Sequence, residues 1–254
     1  MAAHTTLNTV AIVTGASRGL GQALALGLLT PGTQLLTLAR SYDAGLAEHA
    51  RGLGIDLQQI QTDLANPAAT ERVAQQIIAE LPATAQRYLL INNAGTVEPI
   101  AQADHLDAAS SVTAAFSLNV SSVILLTSAF LKAVKPLKAD VRIMNISSGA
   151  GRSPMPGWGV YCATKAALDM YSRVVASENH GVRIASIAPG VIDTAMQGMI
   201  RQADQADFPN VQRFTQLHSN GQLAPAAEVA AKLLQHLYSG TFGSKTIDDI
   251  RDYN

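Results

Sequence analysis

The chain has 254 residues, 48% hydrophobic and 15% charged, with a formal net charge of -1, which is enough for one large core within the size range of single α/β domains. A near-neutral charge without a Lys/Arg cluster excludes a nucleic-acid surface, which needs a basic stripe to neutralise phosphates. The single cysteine, Cys162, excludes an internal disulfide and points to a reducing compartment, so a cytoplasmic protein is expected.

Residues 1–8 lack a basic start followed by an apolar core and a small-residue cleavage site, so no signal peptide is expected. No apolar run is expected to reach membrane-spanning length. Residues 9–13 form a short β-branched run stopped by Thr14-Gly15, the pattern of a buried parallel strand. A helix is expected from Gly19, ending at Thr30-Pro31-Gly32. Residues 34–39 read as a second strand, 43–51 as a short helix and 55–61 as a third strand. Pro67 at a first helical position opens a helix to about residue 81. Residues 88–91 are the fourth strand and 108–133 one long helix; a fifth strand follows at 141–146. A helix carrying Tyr161 and Lys165 runs to about 179, and a sixth strand spans 182–187. Beyond Gly190 the alternation breaks: residues 191–223 form a mixed segment of the kind that serves as a lid. A helix at 226–238 and a last strand near 245–248 complete the chain. Strands alternating with helices at this spacing imply crossover connections, hence a doubly wound α/β fold of the Rossmann kind with about seven parallel strands. No linker, repeat or charge block divides it, so one domain is expected.

Chemistry-bearing residues fall where these strands end. The first turn reads Thr14-Gly15-Ala16-Ser17-Arg18-Gly19-Leu20-Gly21; its glycines let backbone approach a phosphate, and the following helix offers its N–H groups and dipole. The spacing differs from G-x-G-x-x-G, and position after the first strand carries the reading. The second strand ends in Arg40-Ser41 rather than an acidic residue. Two guanidinium groups, Arg40 and Arg18, suit a ribose 2′-phosphate, which favours NADP(H) over NAD. Asp63, followed by Leu64, is placed to reach the adenine, and Asn92, Ala94 and Gly95 to line the inner ribose. Tyr161 and Lys165 lie one helical turn apart; an ammonium there favours the phenolate and lowers the phenol's pKa, preparing it for proton transfer. Such a pair alone is also an ordinary feature of amphipathic helices. His4, His49, His105, His180, His218 and His236 show no ligand spacing, so no metal is expected and each reads as a surface histidine. Cys162 has no predicted histidine beside it, and Ser147-Ser148-Gly149 lacks the glycine of a nucleophile elbow.

Taken in order, Thr14-Gly15-x-x-x-Gly19-x-Gly21, Asn92-Asn93-Ala94-Gly95, Asn119, Ser148, Tyr161-x-x-x-Lys165 and Pro189-Gly190 resemble the short-chain dehydrogenase/reductase family over nearly the whole chain. The resemblance implies that Tyr161 is the proton donor and that Lys165 lowers its pKa and binds the nicotinamide ribose. Ser148 would hydrogen-bond the substrate carbonyl, and Asn119 would hold a proton-relay water. Family spacing selects Ser148 over its neighbour Ser147. Pro189, Gly190, Val191, Ile192 and Thr194 would face the nicotinamide. Within the family, residues 89–95, 157–162 and 188–197 are similar to sepiapterin reductases and to bacterial relatives that reduce benzil and other 1,2-diketones. That likeness places Asp249 at a substrate-binding aspartate, with Asp248 one step away, and leaves diketone and pterin unseparated. Trp158, Met155, Met196 and Phe208 are candidates for an apolar wall around the substrate, or for core and lid packing. The expected activity is NADPH-dependent reduction of one ketone of a small-molecule vicinal dicarbonyl, a benzil-like diketone or a sepiapterin-like pterin side chain, to a hydroxy-ketone, by a homodimer or homotetramer. The alternatives are another alcohol dehydrogenase or 3-oxoacyl reductase, and a non-catalytic NADP(H)-sensing protein.

Overall fold

A computed structural model describes residues 7–253; His4 and most of the stretch read for a signal peptide lie outside the described residues. Seven strands form one sheet in the order β3-β2-β1-β4-β5-β6-β7. They are β1 Thr9–Thr14, β2 Thr33–Ala39, β3 Asp56–Gln61, β4 Arg87–Asn92, β5 Asp140–Ile146, β6 Arg183–Ala188 and β7 Ile247–Asp249. Every neighbouring pair is parallel. Helices α1 Gly19–Gly27, α2 Ala44–Leu53, α3 Pro67–Glu80, α4 Ala109–Phe116, α5 Ser122–Val134, α6 Gly159–Ser177, α7 Ala195–Arg201, α8 Val211–Ser219 and α9 Ala226–Tyr238 connect or follow them.

The period of two along each strand divides the core into two layers. Ala11, Val13, Leu89, Ile91, Met144 and Ile146 point to one face, where Leu24 of α1 and Leu233 of α9 cover them. Val10, Ile12, Tyr88, Leu90, Val141 and Ile143 point to the other, under Ile77 of α3 and Phe130 of α5. Both faces of the central strands are therefore dry, which is why those strands read as continuous apolar runs. The order reverses between β1 and β4, and at such a switch point the crossovers leave to opposite faces and open a crevice at the strands' carboxyl ends.

The long helix predicted over 108–133 is interrupted at Ser117–Ser121 by a π-helical turn between α4 and α5. Together these make a 26-residue helix that is long and apolar enough, by length and composition, to cross a membrane, which corrects the expectation that no apolar run reaches that length. Its apolarity has a local cause: Val123, Leu126, Phe130 and Val134 are buried in the core. Residues 191–223 hold α7 and α8 and leave the body at a closed base, where Asp193 N–H donates to the Ala224 carbonyl and Ala224 N–H to that of Val191, both at 3.0 Å. Above that base a third cluster gathers Trp158, Phe208, Phe214 and Ile200 around Tyr161.

Candidate active site

The first wall of the crevice is the turn between β1 and α1. Gly15 has φ +68°, a left-handed conformation that favours glycine, and a Cβ on Gly21 would come within 2.2 Å of the Gly15 carbonyl oxygen. Thr14 Oγ1 accepts hydrogen bonds from the Asn93 and Ala94 N–H groups, each at 2.9 Å. Asn93 Nδ2 returns to the Thr14 and Gly15 carbonyls at 3.0 and 3.3 Å. Sequence reasoning passed over Asn93, although it is what clamps the turn to the end of β4. Arg18 caps α1 without a side-chain hydrogen bond, so the N–H groups of the first turn have no side-chain acceptor and face the crevice as an anion site. A dinucleotide pyrophosphate fits that cradle. Ser17 is half-buried in the turn, whereas the Leu20 side chain is buried in the core.

Arg18, Arg40 and Ser41 are exposed. Arg40, Gln61, Thr62 and Asp63 line an open cleft of about 430 Å³ at the ends of β2 and β3. Asp63 accepts the Ala65 N–H at 3.0 Å and stays exposed. Leu64 corrects its expected role, because its side chain is core and its carbonyl accepts from Thr70 Oγ1. Asn92 also departs from expectation. Its amide donates at 2.8 Å to Asn145 and at 3.3 Å to Thr127, so the side chain faces the interior while Ala94 and Gly95 continue into the crevice. On the far side, Thr194 Cγ2 would be 3.3 Å from a Cβ on Gly19, which brings the segment after Pro189-Gly190 to the mouth of the turn. Val191 packs against the Trp158 cluster and Ile192 is buried.

The second wall is α6. Tyr161 and Lys165 are 8% and 5% exposed, and Lys165 Nζ stands 5.7 Å from the tyrosine ring centre. A Cβ on Gly95 would be 3.2 Å from Asn119 Oδ1 and 3.7 Å from Lys165 Nζ, so the end of β4, the π turn and α6 converge. Asn119 Oδ1 accepts the Thr96 N–H at 2.8 Å. Its Nδ2 donates to the Thr96 carbonyl at 2.8 Å and to Thr164 Oγ1 at 3.0 Å. With the side chain committed, the main-chain carbonyl in the π turn is what Asn119 can offer a water. Ser148 caps the turn Gly149–Gly151 and its hydroxyl interacts with the Tyr161 phenol. Ser147 is buried and donates to Asp169 at 2.6 Å, so it faces away from that oxygen.

Burial pushes the Tyr161 phenol up to about 12, with the Ser148 hydroxyl pulling it back. The Lys165 ammonium, 5.7 Å from the ring centre, donates to the Ile146 carbonyl at 2.8 Å. Burial brings Lys165 itself down to about 8, opposed by Asp169. Desolvation disfavours the charged form of each group, and for the phenol it dominates. A protonated phenol beside a hydroxyl is suited to donate two hydrogen bonds to one substrate oxygen.

The substrate candidates separate. Trp158 stacks on Phe208 with ring centres 4.9 Å apart and meets Tyr161 edge-on at 5.4 Å. Phe208 is fully buried and backs the tryptophan, while Met155 and Met196 are only partly covered. Asp248 is 3% exposed and faces inward, accepting from the Tyr253 hydroxyl and lying 3.4 Å from His236. His236 is therefore not the surface histidine expected, but a buried one on α9. Asp249 points the other way and is held by Arg251 at 2.6 and 2.8 Å, hydrogen bonds that keep its carboxyl below the usual range.

Comparison with known proteins agrees with this arrangement. The family profile for short chain dehydrogenase matches residues 9–205. The chain is 36% identical to a benzil reductase ((S)-benzoin forming) of Bacillus cereus, over 89% of this chain and 92% of that protein. It is 38% identical to the sepiapterin reductase of Rattus norvegicus, over 96% of each. The solved RhlG/NADP active-site complex of Pseudomonas aeruginosa superposes with a TM-score of 0.74 at 29% identity, over 98% of this chain and 97% of that one. With the crevice, the glycine turn and the Tyr161-Lys165 helix in one place, the chain belongs to the short-chain dehydrogenase family of nicotinamide-dependent oxidoreductases.

Proposed function

We propose that the chain is an NADPH-dependent carbonyl reductase that converts one ketone of a vicinal dicarbonyl to a hydroxy-ketone. The observation that carries this reading is the Ser148 hydroxyl against the Tyr161 phenol, with Lys165 one turn away on the same buried face of α6. The cofactor, when bound, supplies the hydride. The first-turn N–H groups of α1 would hold its pyrophosphate, and Arg40 and Arg18 its 2′-phosphate. Lys165 would hold the nicotinamide ribose, and Thr194 would face the carboxamide. Ser148 and Tyr161 donate hydrogen bonds to the substrate oxygen, where negative charge grows during reduction, and Tyr161 gives up its proton there. Lys165, close to its own pKa, can take part in restoring that proton.

Residues 191–223 act in this reading as the lid of a single domain, with Trp158 and Met196 as the apolar wall. Because Asp249 is already occupied by Arg251, a neutral aromatic diketone suits the pocket better than a pterin that needs a free carboxylate. The test is the oxidation of NADPH and NADH by purified protein with benzil and with sepiapterin. NADPH should be consumed faster than NADH, and benzil should be preferred. Tight NADPH binding with no turnover of either compound would overturn the enzyme reading in favour of a nucleotide sensor.

A further inference from the structure

Asp169 lies one turn beyond Lys165, so Tyr161, Lys165 and Asp169 share a face of α6. It is 7% exposed, and a buried carboxylate stays ionised only where donors and counter-charge replace its lost hydration. Ser147 Oγ donates to Oδ1 at 2.6 Å, Ser186 Oγ to Oδ1 at 2.7 Å, and Arg152 Nε to Oδ2 at 3.0 Å. These donors come from separate parts of the crevice. Ser147 follows β5 directly before Ser148, Ser186 belongs to β6, and Arg152 caps the turn that Ser148 begins. Arg152 Nη2 continues to the Asp248 carbonyl of β7 at 2.9 Å. The turn also rests on α6, since a Cβ on Gly151 would be 2.8 Å from the Lys165 carbonyl carbon. Ser148 is thus held on both sides by residues bonded to one carboxylate.

We propose that Asp169 is a positioning residue: its carboxylate locks the Ser148 turn, β5 and β6 to the Tyr161-Lys165 helix, and supplies the counter-charge for the Lys165 ammonium. The proposal rests on the carbonyl-reductase reading for its effect on turnover, but not for its effect on Lys165. The groups facing Lys165 are Tyr161 and Asp169 on its own helix, the Ile146 carbonyl of β5, the Asn119 amide of the π turn, and the Gly149–Gly151 turn whose Arg152 is paired to Asp169. Burial lowers Lys165 to about 8 and Asp169 works against that, so the ammonium titrates within an ordinary working range. Loss of the negative charge in Asp169→Asn must lower the Lys165 pKa further. Removal of the neighbouring positive charge in Arg152→Met must raise it.

The experiment labels lysine with carbon-13 and follows the Lys165 Cε resonance against pH in the cofactor-free protein, assigned by its disappearance in Lys165→Met. Benzil reduction with NADPH is profiled against pH in parallel. Asp169→Asn should move the Lys165 midpoint down by about one pH unit and reduce kcat on the order of ten- to a hundredfold through misplacement of Ser148, with the alkaline limb following the midpoint. Arg152→Met should move the midpoint up. An unmoved midpoint in both folded variants overturns the proposal. If Asp169→Asn does not fold, Arg152→Met decides alone: an upward shift supports the proposal, and no shift or a downward one overturns it. Absence of turnover in the parent protein would defeat the functional reading, while the resonance titration still judges Asp169.

Discussion

Tyr161 is buried enough that its phenol is lifted to about 12, and this decides what it can do. A group that stays protonated at neutral pH serves as a proton donor, and its hydrogen bond to a developing alkoxide gains strength where water is excluded. Tyr161→Phe keeps the ring on Trp158 and removes the hydroxyl that carries the proton; kcat with benzil should fall by about 10²–10⁴-fold with NADPH binding retained, as measured by fluorescence titration. Full activity in that variant would remove Tyr161 from the mechanism. Arg40 is exposed beside the open cleft at the end of β2, where a phosphate contact is charge-assisted. Arg40→Asp should lower kcat/KM for NADPH by about ten- to a hundredfold, the equivalent of one hydrogen-bonded charge pair, and leave that for NADH level or higher. An unchanged cofactor ratio would show that Arg40 does not read the 2′-phosphate.

Among the elements, the β1–α1 turn and the α4–α5 helix shape the crevice through backbone rather than side chains. The turn has room for no added atom at Gly21, where a Cβ would overlap the Gly15 carbonyl. Gly21→Ala should cost about 1–3 kcal/mol of stability, as overpacking does, and weaken NADPH binding by displacing the N–H groups of the anion site. Urea unfolding and a binding titration on the same sample measure the two effects. In the long helix, the π turn puts the buried Asn119 amide on Thr96 and Thr164. That couples the end of β4 to α6 through one side chain. The turn was not legible beforehand, because no residue pattern separates a π turn from the α-helix around it, whereas the helix start at Pro67 was, since a proline at the first helical position acts within one turn; the structure adds the Asn66 side-chain cap.

Across the whole molecule, the end of the sheet opposite the crevice is held by charge. Asp140, at the start of β5, pairs with Arg87 of β4, Arg142 of β5 and Arg183 of β6, and Arg142 donates in turn to the Leu237 and Ser239 carbonyls at the end of α9. Burial works against the Asp140 carboxylate, but the hydrogen bonds from Arg142, Arg87 and Arg183 hold its pKa far below 3.8. The folded state thus binds the proton more weakly than the unfolded chain, so this stabilisation is present above pH 3.8 and is lost as pH falls towards the folded value. Asp140→Asn should destabilise by about 1–3 kcal/mol at pH 7, with the gap to the parent protein narrowing in urea unfolding below pH 4. A gap constant with pH would show that packing, not charge, holds that end. His236 adds in the same direction: burial lowers its pKa against the pull of Asp248, so acid favours the unfolded chain, where the imidazole charges freely.

The sequence by itself determined the alternation of strands and helices, the glycine turn and the Tyr161-Lys165 spacing, because these are written in local periodicity and in spacings of a few residues, whereas Asn119 and Ser148 were singled out by the resemblance to the short-chain dehydrogenase/reductase family. It also placed Arg40 at a strand end, where an exposed side chain can act without help from distant neighbours. Only the tertiary structure decided which polar groups are buried and what they face. Asn92 and Leu64 turn inward, Asp248 and Asp249 part to opposite sides of β7, and Asp169 gathers donors from three separate segments. Burial also works against the charged forms of Tyr161 and Lys165. Burial and long-range pairing depend on every element packed around a residue, and that information is absent from any short stretch of chain.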